Sequence, residues 1–185
     1  MIIGISGKLG SGKDTVANYI KKKYPQFQNK SFAYKLKQIV SILTSCSMET
    51  TMTQEGKNVY VPEFDMTIGQ MQQQIGTNVL RQHFNENVWI NALMIELKKL
   101  EGDYIITDCR FKNEAQAVKD AGGIMIRVNR PYNPIAENSN RDLTHPSETD
   151  LDDYTGFDFV VSNDTDLQGL ENKIVSILDS LNVAI

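Results

Sequence analysis

The 185-residue chain contains little cysteine and no long hydrophobic run. Its two cysteines cannot form a disulfide framework in a chain of this size, so we expect a protein of a reducing compartment. The opening apolar run, residues 1–5, is too short for the core of a signal peptide, and no run approaches the roughly 20 apolar residues of a membrane span. We therefore expect a cytoplasmic protein with no membrane partner.

Histidine and clustered positive charge are also scarce. His83 and His145 are isolated from each other, and no Ser-His-Asp or Cys-His pattern for nucleophilic catalysis is recognisable. The net charge of -4 disfavours a nucleic-acid polymer as partner, because neutralising phosphates requires clustered positive charge. Residues 141–166 carry eight of the acids and a single base, so the rest of the chain is mildly basic and can bind a small anion locally.

Ordinary apolar (41%) and charged (23%) contents, together with the length, indicate one globular domain. Apolar runs and periodic segments alternate along the chain. Strands are predicted at 2–6, about 30–33, 104–108, 124–129 and 157–161, and helices at 13–23, about 34–44, 67–82, 86–100, 111–121 and 166–182. Residues 45–66 and 130–145 are predicted to be irregular. The alternation predicts an α/β fold, a parallel sheet flanked by helices, with ligands at the carboxyl ends of the strands.

Residues 7–15, GKLGSGKDT, match the phosphate-binding pattern G-x-x-x-x-G-K between a predicted strand and a predicted helix. Glycines let backbone N–H groups approach phosphate oxygens, and the helix turns its positive end toward the anion. Lys13 adds a charge at the outer phosphates. The residues expected to bind phosphates are Leu9, Gly10, Ser11, Gly12, Lys13, Asp14 and Thr15. The alternative is a glycine-rich turn that binds nothing.

Asp14 stands where this pattern usually has Ser or Thr, and Thr15 follows one place later. The usual hydroxyl meets Mg²⁺. Asp14 could hold the ion directly or through water, or it could cap the N-terminus of the helix, and both interpretations stay open. Thr15 could supply the missing hydroxyl, so Asp14 and Thr15 are the candidate metal ligands.

Charged residues also lie at the ends of two other predicted strands, 104–108 and 124–129. Asp108 is the last residue of the first of these strands, and Arg110 lies two residues beyond Asp108. An acid there can orient Mg²⁺-bound water and an arginine can clamp a phosphate, while the alternative is a structural Asp–Arg pair. Arg127 falls inside the next predicted strand, which favours a structural role. Arg130 begins the following loop and is expected to reach a phosphate when a lid closes.

With these residues assembled, the chain resembles the phage and bacterial deoxynucleoside monophosphate kinases, within the P-loop nucleoside monophosphate kinase group. The segments that carry the resemblance are SGKLGSGKDT, SFAYKLKQ, QQQIGTNVLRQHFNENVWI, YIITDCRFKNEAQAVKDAGGIMIRVNRP, LTHPSE and VVSNDTDLQGL. The chain departs from the family at Gly69 and Gln70, where many members carry an arginine that clamps the monophosphate, and Arg81 could replace it. Residues 45–66 match the family poorly and are expected to tune base choice.

The resemblance implies a three-layer P-loop kinase fold in a single domain, 1–185. Its core would be 1–33, 101–130 and 155–185, its helical monophosphate-binding lobe about 34–100 and its lid loop about 130–150. It implies transfer of the γ-phosphate of ATP, assisted by Mg²⁺, to a deoxynucleoside monophosphate, with Lys13, Arg110 and Arg130 as catalytic residues. The implied monophosphate-binding residues are Lys8, Lys37, Gln73, Gly76, Thr77, Arg81, Trp89, Asp108 and Arg110. The place of Trp89 on an apolar helical stripe favours core packing over base stacking.

ATP and Mg²⁺ are the implied cofactors, and the expected partners are small-molecule substrates, with a homodimer left open. The host cytoplasm is the expected location if the chain is phage-encoded. Two alternatives remain: a small-molecule P-loop kinase with a different acceptor, and a nucleotide-binding regulatory module without enzyme activity.

Overall fold

A computed structural model describes residues 1–133 and 144–181. They form two compact units: the sheet unit, Met1–Lys30 with the described part of Glu101–Ile185, and the helical unit, Ser31–Leu100. Among the helices of the described ranges, none combines the length and the apolarity that a bilayer crossing requires. The predicted lid, about 130–150, includes residues 134–143, which lie outside the described residues.

The elements alternate along the chain in the predicted manner. In chain order they are β1 (Ile2–Ser6), α1 (Lys13–Lys23), β2 (Phe27–Lys30), α2 (Tyr34–Thr44), α3 (Met48–Met52), α4 (Gln54–Lys57), β3 (Tyr60–Val61), a 3₁₀-helix (Pro62–Phe64), β4 (Met66–Thr67), α5 (Ile68–Gln73), a π-helix (Gln74–Phe84), α6 (Val88–Leu97), β5 (Asp103–Ile106), α7 (Lys112–Asp120), β6 (Ile124–Asn129), α8 (Pro146–Thr149), β7 (Phe159–Ser162) and α9 (Leu167–Ser180).

The strands of the sheet unit form a parallel sheet in the order β2-β5-β1-β6-β7. In the centre, Ile3 of β1 lies beside Ile105 of β5 and Ile124 of β6. Because β5 and β6 flank β1, the carboxyl ends of these three strands meet at one edge, which is where such sheets bind ligands. The predicted α/β class with a parallel sheet flanked by helices is confirmed.

Apolar stripes hold α1 and α9 in the core of the sheet unit. α1 buries Val16 and Ile20, two members of its predicted stripe. α9 buries Leu170, Ile174 and Leu178, which recur every four residues. Burying a large aliphatic side chain stabilises a fold by about 1.5–3 kcal/mol, so these stripes fix both helices firmly. The loops that α1 and the strands carry at their ends therefore start from rigid supports.

The predicted second strand is wrong in its position. Strand pairing ends at Lys30, where the prediction began it, and β2 starts at Phe27, which is 1% exposed. The chain then turns into α2, with the N–H of Tyr34 donating to the carbonyl of Ser31 at 3.2 Å. The apolar Phe32 belongs to this turn and not to a strand, so local hydrophobicity misled the prediction.

Residues 45–66 are not the irregular loop that the sequence predicts. They contain α3, α4, the 3₁₀-helix and the antiparallel pair β3–β4. Ser47 and Thr53 cap α3 and α4, since their hydroxyls accept from the N–H groups of Thr50 and Gly56 at 3.1 Å and 3.0 Å. Elements of two to five residues are too short for hydrophobic periodicity to reveal them.

The helix predicted over 67–82 is divided in two. α5 opens with a capping box between Thr67 and Gln70, and the π-helix continues from it for 11 residues. Gly76 lies in the π-helix against α2, where a Cβ would come within 2.6 Å of Leu36 Cδ2. Apolar spacing over so short a segment does not separate α-helical from π-helical hydrogen bonding, so the sequence predicted only a helix.

Candidate functional site

The glycine-rich segment forms a loop between the central strand and the first helix. β1 ends at Ser6 and α1 begins at Lys13. Gly10 and Gly12 have φ angles of 72° and 99°, a region that L side chains rarely adopt. We call residues 7–12 the phosphate loop. Its shape depends on glycine at these two positions.

Side chains from outside the phosphate loop hold three of its carbonyls. Leu9 O accepts from Asn133 Nδ2 at 2.6 Å, Gly10 O from Arg130 Nη1 at 3.2 Å and Ser11 O from Asn163 Nδ2 at 2.9 Å. Within the loop, the N–H of Ser11 donates to the carbonyl of Lys8 at 3.1 Å. These hydrogen bonds tie the conformation of the loop to the segments that follow β6 and β7.

Ser11 carries a buried hydroxyl inside the loop. The residue is 1% exposed, and its Oγ has no hydrogen-bond partner among the residues that the structure describes. A Cβ at Gly7 would lie 2.2 Å from this Oγ and 2.7 Å from the carbonyl oxygen of Val128, so any side chain there would displace the loop. A buried polar group without a partner costs about 1–3 kcal/mol, and a bound anion would offer it an acceptor.

The first turn of α1 carries the three residues that close the motif. Lys13 is half-buried, while Asp14 and Thr15 are exposed. The N-cap is Gly12, and no side chain makes a capping hydrogen bond there. Asp14 therefore does not cap by hydrogen bonding, although a carboxylate in the first turn still suits the helix dipole.

Arg110 follows β5 and is held by acids from two other segments. Its Nη1 donates to Glu148 Oε1 at 2.6 Å, and its backbone N–H donates to Glu114 Oε2 at 2.8 Å. The acid paired with Arg110 is thus Glu148. The alternative that the sequence left open, a structural pair between Asp108 and Arg110, does not form. Asp108 is half-buried beside Cys109, whose thiol pKa is raised by burial and by the negative charges of Glu114 and Asp108. Cys109 therefore stays a neutral thiol.

The two arginines of the β6 region have different surroundings. Arg127, 9% exposed, donates to Ser6 Oγ at 3.0 Å and to Asp152 Oδ1 at 3.1 Å, which agrees with the predicted structural role. Arg130 follows β6 immediately, is half-buried and donates to the phosphate-loop carbonyl of Gly10. Because β5 and β6 flank β1, Arg110 and Arg130 leave the sheet on opposite sides of the strand that carries the phosphate loop.

The segment 144–153 adds contacts that sequence reasoning missed. Lys8 Nζ pairs with Asp152 Oδ2 at 2.7 Å, and the N–H of Leu9 donates to Glu148 Oε2 at 3.1 Å. The sequence showed these residues only as part of an acidic segment and, for Glu148, as part of a matching motif. Nothing in the spacing of the acids indicates which of them becomes buried.

The other predicted monophosphate-binding residues lie in the helical unit. Lys37 is half-buried on α2, and Thr77 and Arg81 are half-buried on the π-helix. Gln73 ends α5, is exposed and lines an open cavity of about 400 Å³. The cavity is polar, with side chains from Asp65, Met66, Gln70, Gln73, Gln74 and Asn78.

Two of the predicted binding residues also have packing contacts. Trp89 is 5% exposed, and its Nε1 donates to the carbonyl of Gly76 at 3.1 Å. Gly76 in turn lies against Leu36. These contacts agree with core packing for Trp89, the interpretation that its apolar stripe favours. Base stacking by Trp89 stays a prediction.

The family model for deoxynucleotide monophosphate kinase matches residues 45–174. A putative deoxynucleotide monophosphate kinase of Acanthamoeba polyphaga mimivirus is 33% identical in an alignment of 198 positions that covers 97% of this chain and 97% of the viral protein. The deoxynucleotide monophosphate kinase of Enterobacteria phage T4 is 29% identical over 123 residues, covering 64% of this chain and 48% of the phage protein.

Solved kinase structures share the fold at low sequence identity. Shikimate kinase from Aquifex aeolicus superposes with a TM-score of 0.56 at 14% identity, over 99% of both chains. Dephospho-CoA kinase from Campylobacter jejuni does so with a TM-score of 0.51 at 14% identity, over 97% of this chain and 96% of that one. The expected P-loop kinase fold is confirmed.

Proposed function

Since this chain belongs to the deoxynucleotide monophosphate kinase family, we propose that it transfers the γ-phosphoryl group of ATP, with Mg²⁺, to a deoxynucleoside monophosphate. The observation that carries the proposal is the arrangement around β1. A phosphate loop with fixed carbonyls follows this strand, and Arg110 and Arg130 follow the two strands beside it. A reaction between two phosphorylated substrates needs positive charge on more than one side of the transferred group.

The residues of the phosphate loop fit the triphosphate of ATP. The Ser11 hydroxyl, which has no partner among the described residues, is a donor for an anion, and the glycines leave room where a Cβ would collide with the loop. Leu9, Gly10, Ser11, Gly12, Lys13, Asp14 and Thr15 are the proposed contacts. Lys13 opens α1, so its ammonium group and the positive end of the helix act on the same anion.

Mg²⁺ fits a site made of Asp14, Thr15 and the phosphates. Within the described ranges 1–133 and 144–181, no three His, Cys, Asp or Glu side chains gather as a metal-binding group. Mg²⁺ is commonly held by one or two protein ligands together with substrate phosphates, and when bound it would neutralise charge on the transferred group. Asp14→Asn should weaken the Mg²⁺ dependence of the rate more than metal-free binding of an ATP analogue. An unchanged Mg²⁺ titration would remove Asp14 from the metal site.

The mechanism that we propose is positioning and charge neutralisation. The acceptor is already an anionic phosphate, so no strong base is needed. Lys13 holds the outer phosphates of ATP, Arg110 holds the acceptor phosphate, and Arg130 meets charge that develops during transfer. We also propose that a lid at about 130–150 excludes water during transfer. Residues 134–143 of this segment lie outside the described residues.

We propose residues for recognition of the acceptor and name them for each unit separately. The sheet unit would contribute Lys8, Asp108 and Arg110, and the helical unit Lys37, Gln73, Gly76, Thr77, Arg81 and Trp89. We further propose a cytoplasmic enzyme whose partners are its substrates.

A coupled ADP-release assay tests the proposed function. Rates are measured without acceptor and with dTMP, dGMP, dCMP, dAMP and their ribonucleotide counterparts. We expect at least one deoxynucleoside monophosphate to raise ADP release far above the rate without acceptor. If no nucleoside monophosphate does so, the chain is either a kinase for another acceptor or a regulatory module.

A further inference from the structure

Glu148 is a buried carboxylate that joins two parts of the sheet unit. Its side chain is 1% exposed, although carboxylates are seldom buried without partners. Oε1 accepts from Arg110 Nη1 at 2.6 Å, and Oε2 accepts from the backbone N–H of Leu9 at 3.1 Å. One carboxylate therefore connects the phosphate loop with the segment that follows β5.

Local contacts fix the position of this carboxylate. α8 is a single turn capped by His145, whose Nδ1 accepts from the N–H of Ser147 at 3.2 Å. The N–H of Glu148 donates to the carbonyl of His145 at 2.8 Å. At the end of this turn, Asp150 Oδ2 accepts from the N–H of Lys112 at 2.7 Å, which attaches the turn to the start of α7. The backbone that carries Glu148 is thus held at both ends.

Glu148 uses only part of the Arg110 guanidinium group. Nη1 donates to Glu148 and, at 3.4 Å, to the carbonyl of Ser147. Nε and Nη2 make no hydrogen bond to any residue within 1–133 and 144–181. A guanidinium binds a phosphate with two parallel N–H groups, and Nε and Nη2 form such an edge. The carboxylate thereby sets the direction of the edge that is left for a phosphate.

We infer that Glu148 is a positioning residue, which orients Arg110 for the acceptor phosphate while it anchors Leu9 of the phosphate loop. The inference rests on the proposed function, because it takes the ligand of Arg110 to be the monophosphate. A carboxylate beside Arg110 lowers the local positive charge, so its contribution to binding lies in geometry. Small misplacements of a binding group commonly cost up to about 10²-fold in activity.

Glu148→Gln tests the inference with little change in shape. An amide keeps one acceptor oxygen, but its NH₂ group then faces a donor, so either Arg110 or Leu9 loses its acceptor. Asp150→Asn is the matched control. It changes a carboxylate of the same segment that accepts from the N–H of Lys112. This carboxylate contacts neither Arg110 nor the phosphate loop.

The kinetic result separates positioning from structural support. Glu148→Gln should raise the monophosphate KM roughly tenfold to hundredfold, with a melting temperature close to that of Asp150→Asn, whose KM should be unchanged. Added to Arg110→Ala, the Glu148→Gln change should raise KM no further, because the group that it positions is absent. Fully additive effects, or a lowered melting temperature with unchanged KM, would overturn the inference.

Amide hydrogen exchange distinguishes failure of this inference from failure of the proposed function. A wild-type protein that phosphorylates no nucleoside monophosphate contradicts the proposed function alone. In Glu148→Ala, where both acceptor oxygens are gone, the Leu9 amide should exchange at least roughly tenfold faster, while the amides of β1 stay protected. Unchanged exchange at Leu9 in a folded Glu148→Ala protein would overturn the inference whether or not the enzyme turns over.

Discussion

Replacing Gly12 by alanine should damage the phosphate loop in two separable ways. Gly12 has a φ of 99°, so any L residue there is strained. A Cβ at this position would also lie 2.6 Å from Asn163 Nδ2, which donates to the carbonyl of Ser11 at 2.9 Å. The variant therefore combines backbone strain with the displacement of a side chain that holds the loop.

The two contributions can be given magnitudes. A non-glycine residue held at positive φ costs about 1–2 kcal/mol. Moving Asn163 removes a hydrogen bond that contributes about 0.5–1.5 kcal/mol. We therefore expect Gly12→Ala to lower the free energy of unfolding by about 1.5–3.5 kcal/mol and to weaken both ATP binding and turnover.

Gly122→Ala is the matched control for this experiment. Gly122 has a φ of 73°, but a Cβ there would meet nothing within 4 Å, so the substitution introduces backbone strain alone. Urea unfolding should place its loss at about 1–2 kcal/mol, with ATP affinity and kcat unchanged. Equal unfolding losses for the two variants, together with wild-type ATP affinity in Gly12→Ala, would refute the reasoning about the loop.

Three further predictions concern single charges. Lys13→Ala should lower kcat about 10²–10³-fold in a protein with an unchanged melting temperature, and near wild-type turnover would contradict the phosphate-loop assignment. Arg110→Ala should mainly raise the monophosphate KM and Arg130→Ala mainly lower kcat, whereas a silent Arg130→Ala would exclude its contact with the transition state. Burial opposes ionisation of Asp158, but hydrogen bonds from Lys119 and the N–H of Met125 hold its pKa below 3.8. The ionised carboxylate of Asp158 therefore stabilises the fold above pH 3.8. This stabilisation is lost as the pH falls through the pKa that Asp158 has in the folded protein, which is lower than 3.8. Asp158→Asn should thus flatten the acid dependence of urea unfolding below about pH 5, and an unchanged dependence would contradict this.

Much of the fold could be predicted because its signals are local. The bounds of β1, α1, α2 and β6 agree with those that the apolar patterns indicate. The errors arose where tertiary contacts decide the structure. Phe32 looks like part of a strand but lies in a turn, and the short elements of 45–66 depend on caps that contribute no periodic signal.

The candidate site likewise has a part that local sequence signals reveal and a part that tertiary contacts decide. The phosphate loop is contiguous in sequence, so its residues could be named from a motif. The partners of Arg110 and Leu9 come from 38 and 139 residues away, and one acid, Glu148, serves both. Contacts of this kind depend on how α8 packs, and the pattern of acids between 141 and 166 does not encode them. Only the resemblance drew attention to Glu148, and it gave that residue no role.

The most direct test of the central claim is the destination of the γ-phosphate of ATP. The protein is incubated with Mg²⁺, ATP radiolabelled in its γ-phosphate and the deoxynucleoside monophosphate that most stimulates ADP release, and the products are separated. We predict label in the deoxynucleoside diphosphate, in an amount equal to the ADP formed, and about 10²–10³-fold slower formation of this product with Lys13→Ala. Label found only in ATP and inorganic phosphate would contradict the proposed reaction.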